Sequence, residues 1–80
     1  MSKVDKQMIT LYKIKDDKDV RCFSAVSGES KGVATVLKQD LSYSYSGDSL
    51  LSFDYFLEDL MTRSVKEGKE LPDKIVHGFG

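Results

Sequence analysis

The chain has 80 residues, of which 40% are hydrophobic and 31% are charged, and its formal net charge is −1. This length is enough for one small domain, and this composition is that of a soluble globular protein rather than a disordered chain. The first 40 residues carry eight Lys/Arg and six Asp/Glu, whereas the last 40 carry four and seven. Neither half has the concentrated positive charge that binding to a phosphate backbone usually requires.

The cysteine content and the polar N-terminus predict the cellular compartment. Cys22 is the single cysteine, so no disulfide can form within the chain, and a reducing compartment is the simpler interpretation. No apolar run is long enough to span a bilayer, and residues 1–7 lack the hydrophobic stretch of a secretory signal. We therefore expect a cytoplasmic protein in which residues 1–80 form a single domain and residues 1–7 are disordered.

Four segments of the first half have the pattern of strands. Residues 8–14 and 20–26 are rich in β-branched and aromatic residues, and the charged residues 16–19 fit the turn of an antiparallel hairpin. Residues 33–38 fit a third strand or a short helix, and their β-branched residues favour the strand. Residues 41–46, LSYSYS, alternate strictly, as an edge strand with one solvated face does.

Residues 48–68 predict an amphipathic helix. Apolar residues recur there at helical spacing, while acidic and basic residues occupy the other side. Asp48 or Ser49 can cap the start of this helix, because their side chains accept hydrogen bonds from free backbone N–H groups. Gly68 can end the helix in the left-handed conformation.

The predicted fold class is α+β: a small antiparallel sheet of three to four strands with one C-terminal helix packed on a face, in the order ββββα. Residues 69–80 then form a C-terminal tail, in which Ile75 and Val76 either add a short strand or pack on the domain. The strands are apolar on both faces, but one helix covers only one face. Something is therefore expected to cover the second face: the tail, a second copy of the chain or a partner protein.

A homodimer is the expected cover, because a two-fold interface buries the same patch on each copy. The predicted interface residues, placed on the face opposite the helix, are Ile9, Leu11, Phe23 and Val36. In the alternative, a monomer, residues of the tail fold back over that face. They are Ile75, Val76 and Phe79.

No catalytic residue, metal ligand or cofactor is predicted. His77, the single histidine, lies near the end of the chain, where a solvent-exposed side chain is expected rather than a general base or a metal ligand. Cys22 has no basic partner and fits a buried small hydrophobic residue. Residues 16–19 lack the ligand spacing of a calcium loop, and residues 28–32 match no phosphate-binding motif. We therefore do not expect an enzyme.

A protein-interaction surface is the leading functional prediction. Tyr43 and Tyr45 alternate with serines, and this composition suits an adaptable binding surface. Alternatively, both tyrosines pack beneath the helix as half-buried core. The acidic side of the helix, with Asp54, Glu58 and Asp59, is the second feature, although a solvated helix surface also explains it. These five residues are the predicted site for a larger partner protein, as expected of an accessory or inhibitor protein of a phage or plasmid.

Weak binding of single-stranded nucleic acid is the competing prediction. Basic and aromatic side chains on a sheet can hold a strand by attraction to its phosphates and by stacking on its bases. The acidic side chains within residues 16–19 oppose this function, because they cancel much of the local positive charge. The predicted residues are Lys13, Lys15, Arg21 and Phe23.

Overall fold

The structure is a computed structural model that describes residues 8–50 and 53–78. Within these residues, five strands and one helix follow in the order ββββαβ. The elements are β1 (Met8–Asp16), β2 (Val20–Ser27), β3 (Ser30–Leu37), β4 (Ser42–Gly47), α1 (Phe53–Lys66) and β5 (Lys74–Gly78). The strands form one antiparallel sheet in the spatial order β4-β3-β2-β1-β5. The predicted α+β fold, an antiparallel sheet with one helix on a face, is confirmed, and β5 extends the sheet.

The first two turns follow from local side-chain and backbone chemistry. The Asp17 carboxylate closes the β1–β2 turn by accepting hydrogen bonds from the backbone N–H groups of Asp19 (2.8 Å) and Val20 (3.0 Å). β2 and β3 are joined by the two residues Gly28 and Glu29. Gly28 has a φ of 61°, which glycine adopts without steric cost at the first position of such a turn.

The bounds of β3 and β4 differ slightly from the sequence prediction. Residues 33–38 were predicted as a strand in preference to a helix, and this is confirmed, although β3 already begins at Ser30. β4 begins at Ser42 rather than at Leu41. Leu41 instead lies in the turn, where its φ is 61° and its N–H donates to the carbonyl of Leu37 at 2.8 Å.

β5 places the C-terminal segment within the sheet. It pairs with β1, with Ile75 opposite Leu11 and Val76 opposite Thr10. Of the two alternatives for these residues, the short strand is therefore correct. Ile75 and Val76 do not fold back across the face of the sheet, because they extend its edge. Phe79 and residues 1–7 lie outside the described residues.

α1 begins later than predicted and ends where predicted. The Asp54 carboxylate in the first turn accepts a hydrogen bond from the Leu50 N–H at 3.1 Å, and the Phe53 N–H donates to the Leu50 carbonyl at 3.1 Å. Beyond the last turn, Gly68 has a φ of 68°. The helix has 14 residues. In the described parts of the chain, no helix is long and apolar enough to cross a membrane.

The hydrophobic core lies between α1 and one face of the sheet, which we name the covered face. Every second residue of the strands points toward α1. These residues pack against the apolar side of the helix and against Leu50, which lies before it in the chain. The buried residues are Ile9, Leu11, Phe23, Ala25, Ala34, Val36, Leu50, Phe53, Leu57 and Met61. At about 25 cal/mol per Å² of apolar surface removed from water, this burial is the main stabilising contribution of the fold.

The residues predicted for a dimer interface lie on the covered face. Ile9, Leu11, Phe23 and Val36 are fully buried in the core with α1, so their predicted position opposite the helix is wrong. Strands that are apolar on both faces do not reveal which face receives the helix. We name the opposite side the open face, and five of its apolar side chains are 37% to 55% exposed. They are Met8, Tyr12, Val33, Leu37 and Val76.

Candidate interaction surface

β4 is an edge strand of the described sheet, and it carries both tyrosines that the sequence predicts for binding. Tyr43 pairs with Val36 and Tyr45 pairs with Ala34, and both of these β3 residues are buried beneath α1. The tyrosines therefore lie on the covered face, half-buried against the core. The predicted alternative, in which both tyrosines pack as half-buried core, describes their position correctly.

The position of the Tyr45 ring depends on Gly32, which lies two residues before Ala34, the cross-strand partner of Tyr45. A Cβ on Gly32 would lie 2.7 Å from the ring carbon Cε1 of Tyr45 and closer still to its hydroxyl end. Only a residue without a side chain leaves room for the ring there. The Tyr45 hydroxyl donates a hydrogen bond to the backbone carbonyl of Asp48, and the Asp48 carboxylate accepts one from the Lys31 N–H at 3.1 Å. The C-terminal end of β4 is therefore fixed by polar contacts as well as by packing.

Tyr43 lies beside the acidic side of α1. Burial raises the pKa of Tyr43 to about 12, and the negative charges of Glu58 and Asp54 add to this effect. Its hydroxyl therefore stays protonated at physiological pH and can donate a hydrogen bond. We name Tyr43, Tyr45, Asp54 and Glu58 the tyrosine–acid surface. It combines aromatic contact area with two carboxylates that attract cationic groups.

Asp59, the fifth residue of the predicted protein-binding site, is separate from this group. Its carboxylate forms an exposed ion pair with Arg63 at 3.0 Å, one turn further along α1. An exposed pair of this spacing contributes only about 0.3–0.5 kcal/mol. The structure thus brings together four of the five residues, while Asp59 belongs to the solvated side of the helix.

The four residues predicted for nucleic-acid binding do not share a surface. Phe23 is fully buried in the core and cannot stack on a base. Arg21 is 4% exposed, and its guanidinium donates hydrogen bonds to Asp16 and Ser64, so it does not present its charge to solvent. Lys13 pairs with Phe23 on the covered face, whereas Lys15 pairs with Cys22 on the open face. The predicted site therefore has no structural counterpart.

A β-bulge in β1 explains this division. Lys13 pairs with Phe23 and Lys15 pairs with Cys22, so Ile14 is an additional residue between two consecutive pairs. The bulge shifts the alternation of β1 by one position. Residues that follow it change faces, and the acidic side chain of Asp16 is directed toward α1 instead of the open face.

Asp16 forms a polar cluster with Arg21 and Lys38 at the edge of the core. Its carboxylate accepts hydrogen bonds from Lys38 Nζ at 2.7 Å and from Arg21 Nε at 3.2 Å. Arg21 Nη1 donates to Ser64 Oγ on α1 at 2.7 Å. Burial would raise the pKa of Asp16, but the hydrogen bonds from Lys38 and Arg21 outweigh it and lower the pKa. The cluster connects β1, β2 and the turn after β3 to the helix.

This cluster borders a polar cavity of about 280 Å³. Three cations and two carboxylates line the cavity, so their charges nearly cancel, and all three cations lie within 4 Å of Asp16. Because these buried charges are paired with one another, loss of any one partner would leave an uncompensated charge and destabilise the fold. The lining residues are Lys13, Asp16, Arg21, Lys38 and Glu70.

The single histidine and the single cysteine both occupy strands. His77 is half-buried in β5 rather than exposed in a tail, and its ring stacks on Phe56 of α1 with 4.0 Å between ring centroids. Cys22 is half-buried on the open face and accepts a hydrogen bond from Thr35 Oγ1 at 3.4 Å. In residues 8–50 and 53–78, no group of three or more His, Cys, Asp or Glu side chains is placed to hold a metal ion.

No protein-family model, curated protein or solved structure matches this chain. What the protein does must therefore be inferred from its own side chains.

Proposed function

We propose that the protein is a non-catalytic interaction module that binds a larger partner protein and modulates it by blocking or bridging. The supporting observation is that an edge strand and the acidic half of α1 adjoin at the tyrosine–acid surface. The chain's single cysteine fits action in the reducing cytoplasm.

The edge of β4 provides a physical route to binding. Every second backbone N–H and C=O group of an edge strand points away from the sheet, and an extended segment of a partner can pair with these groups. β4 has six residues, so about three of them present such groups. Backbone pairing would supply affinity, and the adjoining side chains would select the sequence of the partner.

The adjoining side chains favour a basic segment. Glu58 is exposed, and the half-buried Tyr43 beside it offers a hydroxyl donor and one face of a ring. Lys or Arg side chains of an added strand would meet these carboxylates and could lie against the ring. Such rim charges mainly set the choice of partner and the association rate.

An affinity experiment with charge-reversed baits tests this proposal. Wild-type protein, Glu58→Lys and Glu67→Lys are immobilised and exposed to lysate of the source cells. Glu67→Lys is the matched control, because Glu67 follows the end of α1 and forms an exposed contact with Lys69 at 3.2 Å. We expect the wild type and the control to enrich the same partner and Glu58→Lys to lose it.

Circular dichroism establishes that all three baits are equally folded. Enrichment of the same partner by all three baits would contradict the assignment of the tyrosine–acid surface. If the wild type enriches no partner, the proposed function itself is refuted.

A further inference from the structure

The open face is shaped by two ridges of exposed apolar side chains. Val33 and Leu37 of β3 form one ridge, while Met8 and Tyr12 of β1 with Val76 of β5 form the other. The central strand β2 lies between the ridges and contributes a row of smaller, half-buried side chains. These are Val20, Cys22, Ser24 and Val26.

The size of this face is that of an interface. Five strands about 4.8 Å apart, with about six residues each, span about 24 Å by 20 Å, or about 480 Å² before side-chain relief is counted. The largest apolar patch on a monomeric protein is about 300–600 Å² and is often functional. A standard interface removes about 800 Å² from each partner, and weak associations remove less. The open face can therefore support a weak association by itself.

The charged side chains that the described strands direct to the open face are all positive and lie toward its ends, and one of them, Lys15, contacts the Asp17 carboxylate of the adjoining turn at 3.6 Å. Lys15, Lys31 and Lys74 alternate to this side. Asp16 is the one acidic residue of the described strands, and the bulge directs it toward α1. The face thus has an uncharged centre and a cationic rim, which is the arrangement of an interface with a desolvated core.

Within residues 8–50 and 53–78, no element lies across this face. α1 occupies the other face, and β5 extends the edge of the sheet.

We propose that two copies of the chain pack open face to open face as a two-fold dimer. The two sheets lie about 10 Å apart, as in other face-to-face packing, and the helices are on the outside. An isologous contact buries both ridges of each copy at once. It leaves both tyrosine–acid surfaces accessible, so this proposal does not depend on the proposed function.

The cationic rim gives this dimer a characteristic salt dependence. Two copies bring six lysines to the border of one interface. Each Lys15 is paired with Asp17, so the repulsion between like charges comes mainly from Lys31 and Lys74 of the two copies. Added salt screens the repulsion, since the Debye length falls from about 30 Å at 0.01 M to about 8 Å at 0.15 M. The dimer is therefore expected to tighten several-fold with salt, whereas a contact between opposite charges would weaken.

Light scattering coupled to size-exclusion chromatography, with sedimentation velocity at several salt concentrations, tests the dimer on the full chain. The wild-type mass is expected to rise from 9.0 kDa toward twice that value as concentration increases, and to rise further with salt. Leu37→Lys and Val76→Lys, which add like charge to the open face, are expected to remain monomeric. Tyr55→Lys is the matched control, because Tyr55 is 82% exposed on α1, away from the open face. This variant should dimerise as the wild type does.

Circular dichroism of each variant separates loss of the dimer from loss of the fold. A mass that stays at 9.0 kDa at all concentrations would overturn the proposal. Dimers that persist in both open-face variants, or that weaken with salt, would also overturn it.

Discussion

The covered and open faces of the sheet are built from the same strands, yet they differ in the residues that lie next to their apolar side chains in adjacent strands. On the covered face, Ile9, Leu11 and Phe23 are fully buried in one apolar cluster, and Leu11 faces Ala25 in the adjacent strand. On the open face, Tyr12 and Val33 remain exposed and have hydroxyl-bearing neighbours in adjacent strands. The helix packs on the face whose centre is apolar, and the buried Arg21 and Ser64 at its edge are hydrogen-bonded to each other.

This difference indicates that burial of the two faces is decided separately. The covered face is completed within one chain, because α1 supplies Phe53, Leu57 and Met61 to it. The open face is only half-buried by its own strands. Substitutions on the covered face should therefore change stability, and substitutions on the open face should change association.

Truncation of Phe23 should produce the largest effect and gives the clearest test of this comparison. We expect Phe23→Ala to lower the free energy of unfolding by about 3–5 kcal/mol, because it leaves a cavity in the centre of the core. Val33→Thr on the open face should change it by no more than about 0.5 kcal/mol. Urea denaturation followed by circular dichroism measures both values.

If Phe23→Ala does not fold, Phe23→Leu provides the measurement. Leucine fills most of the site, so we expect a loss of about 1–2 kcal/mol. Equal losses for Phe23→Leu and Val33→Thr would show that the two faces do not differ in the way the structure indicates.

The sequence predicts the elements better than the assignment of faces. Alternation and helical spacing are local properties, so β1, β2, β3, β4 and α1 could be located from them. The face that receives α1 depends on contacts between distant residues, and the prediction placed Phe23 and Val36 on the wrong side. The cross-strand pairs carried the signal that could have identified the covered face, because Leu11 faces Ala25 whereas Tyr12 and Val33 face serines.

The bulge in β1 and the edge strand β5 are further features that the sequence did not determine. No residue type in β1 predicts that Ile14 is the extra residue of a bulge. Strict alternation therefore could not predict the contact of Asp16 with Arg21. Gly32 lies within β3, where the Tyr45 ring occupies the space that a side chain at this position would need. β5 has five residues, too few for its pattern to distinguish a strand from a tail.

Neutralisation of Asp16 should produce the second-largest effect. Asp16→Asn removes the charge that balances the buried guanidinium of Arg21, and we expect a loss of about 2–3 kcal/mol in the free energy of unfolding. Lys15→Ala, which removes an exposed pair with Asp17 at 3.6 Å, should cost less than about 0.5 kcal/mol. The polar edge of the covered face would thus matter more than the charges of the open face.

The same cluster should make stability depend on acid. The folded pKa of Asp16 is lowered, so its contribution is present above the unfolded pKa and is lost as pH falls through the folded pKa. Denaturation at neutral pH and near pH 3 should therefore show a steeper decrease for the wild type than for Asp16→Asn. Parallel decreases would show that the Asp16 cluster does not contribute in this way.

Ionisation of Tyr43 should produce the smallest effect, and it concerns the border between the covered face and solvent. The folded pKa of Tyr43 is raised to about 12, above the ordinary value of 10.0, so the fold favours the protonated phenol. Its contribution is fully present below the unfolded pKa and is lost as pH rises through the folded value. We expect the free energy of unfolding to fall by about 1 kcal/mol between about pH 9 and about pH 11. Other groups also titrate there, so the measurement is the difference from Tyr43→Phe, which retains the ring and lacks the ionisable group. If the two proteins lose stability equally over this range, Tyr43 is more accessible to water than its position beside Glu58 indicates.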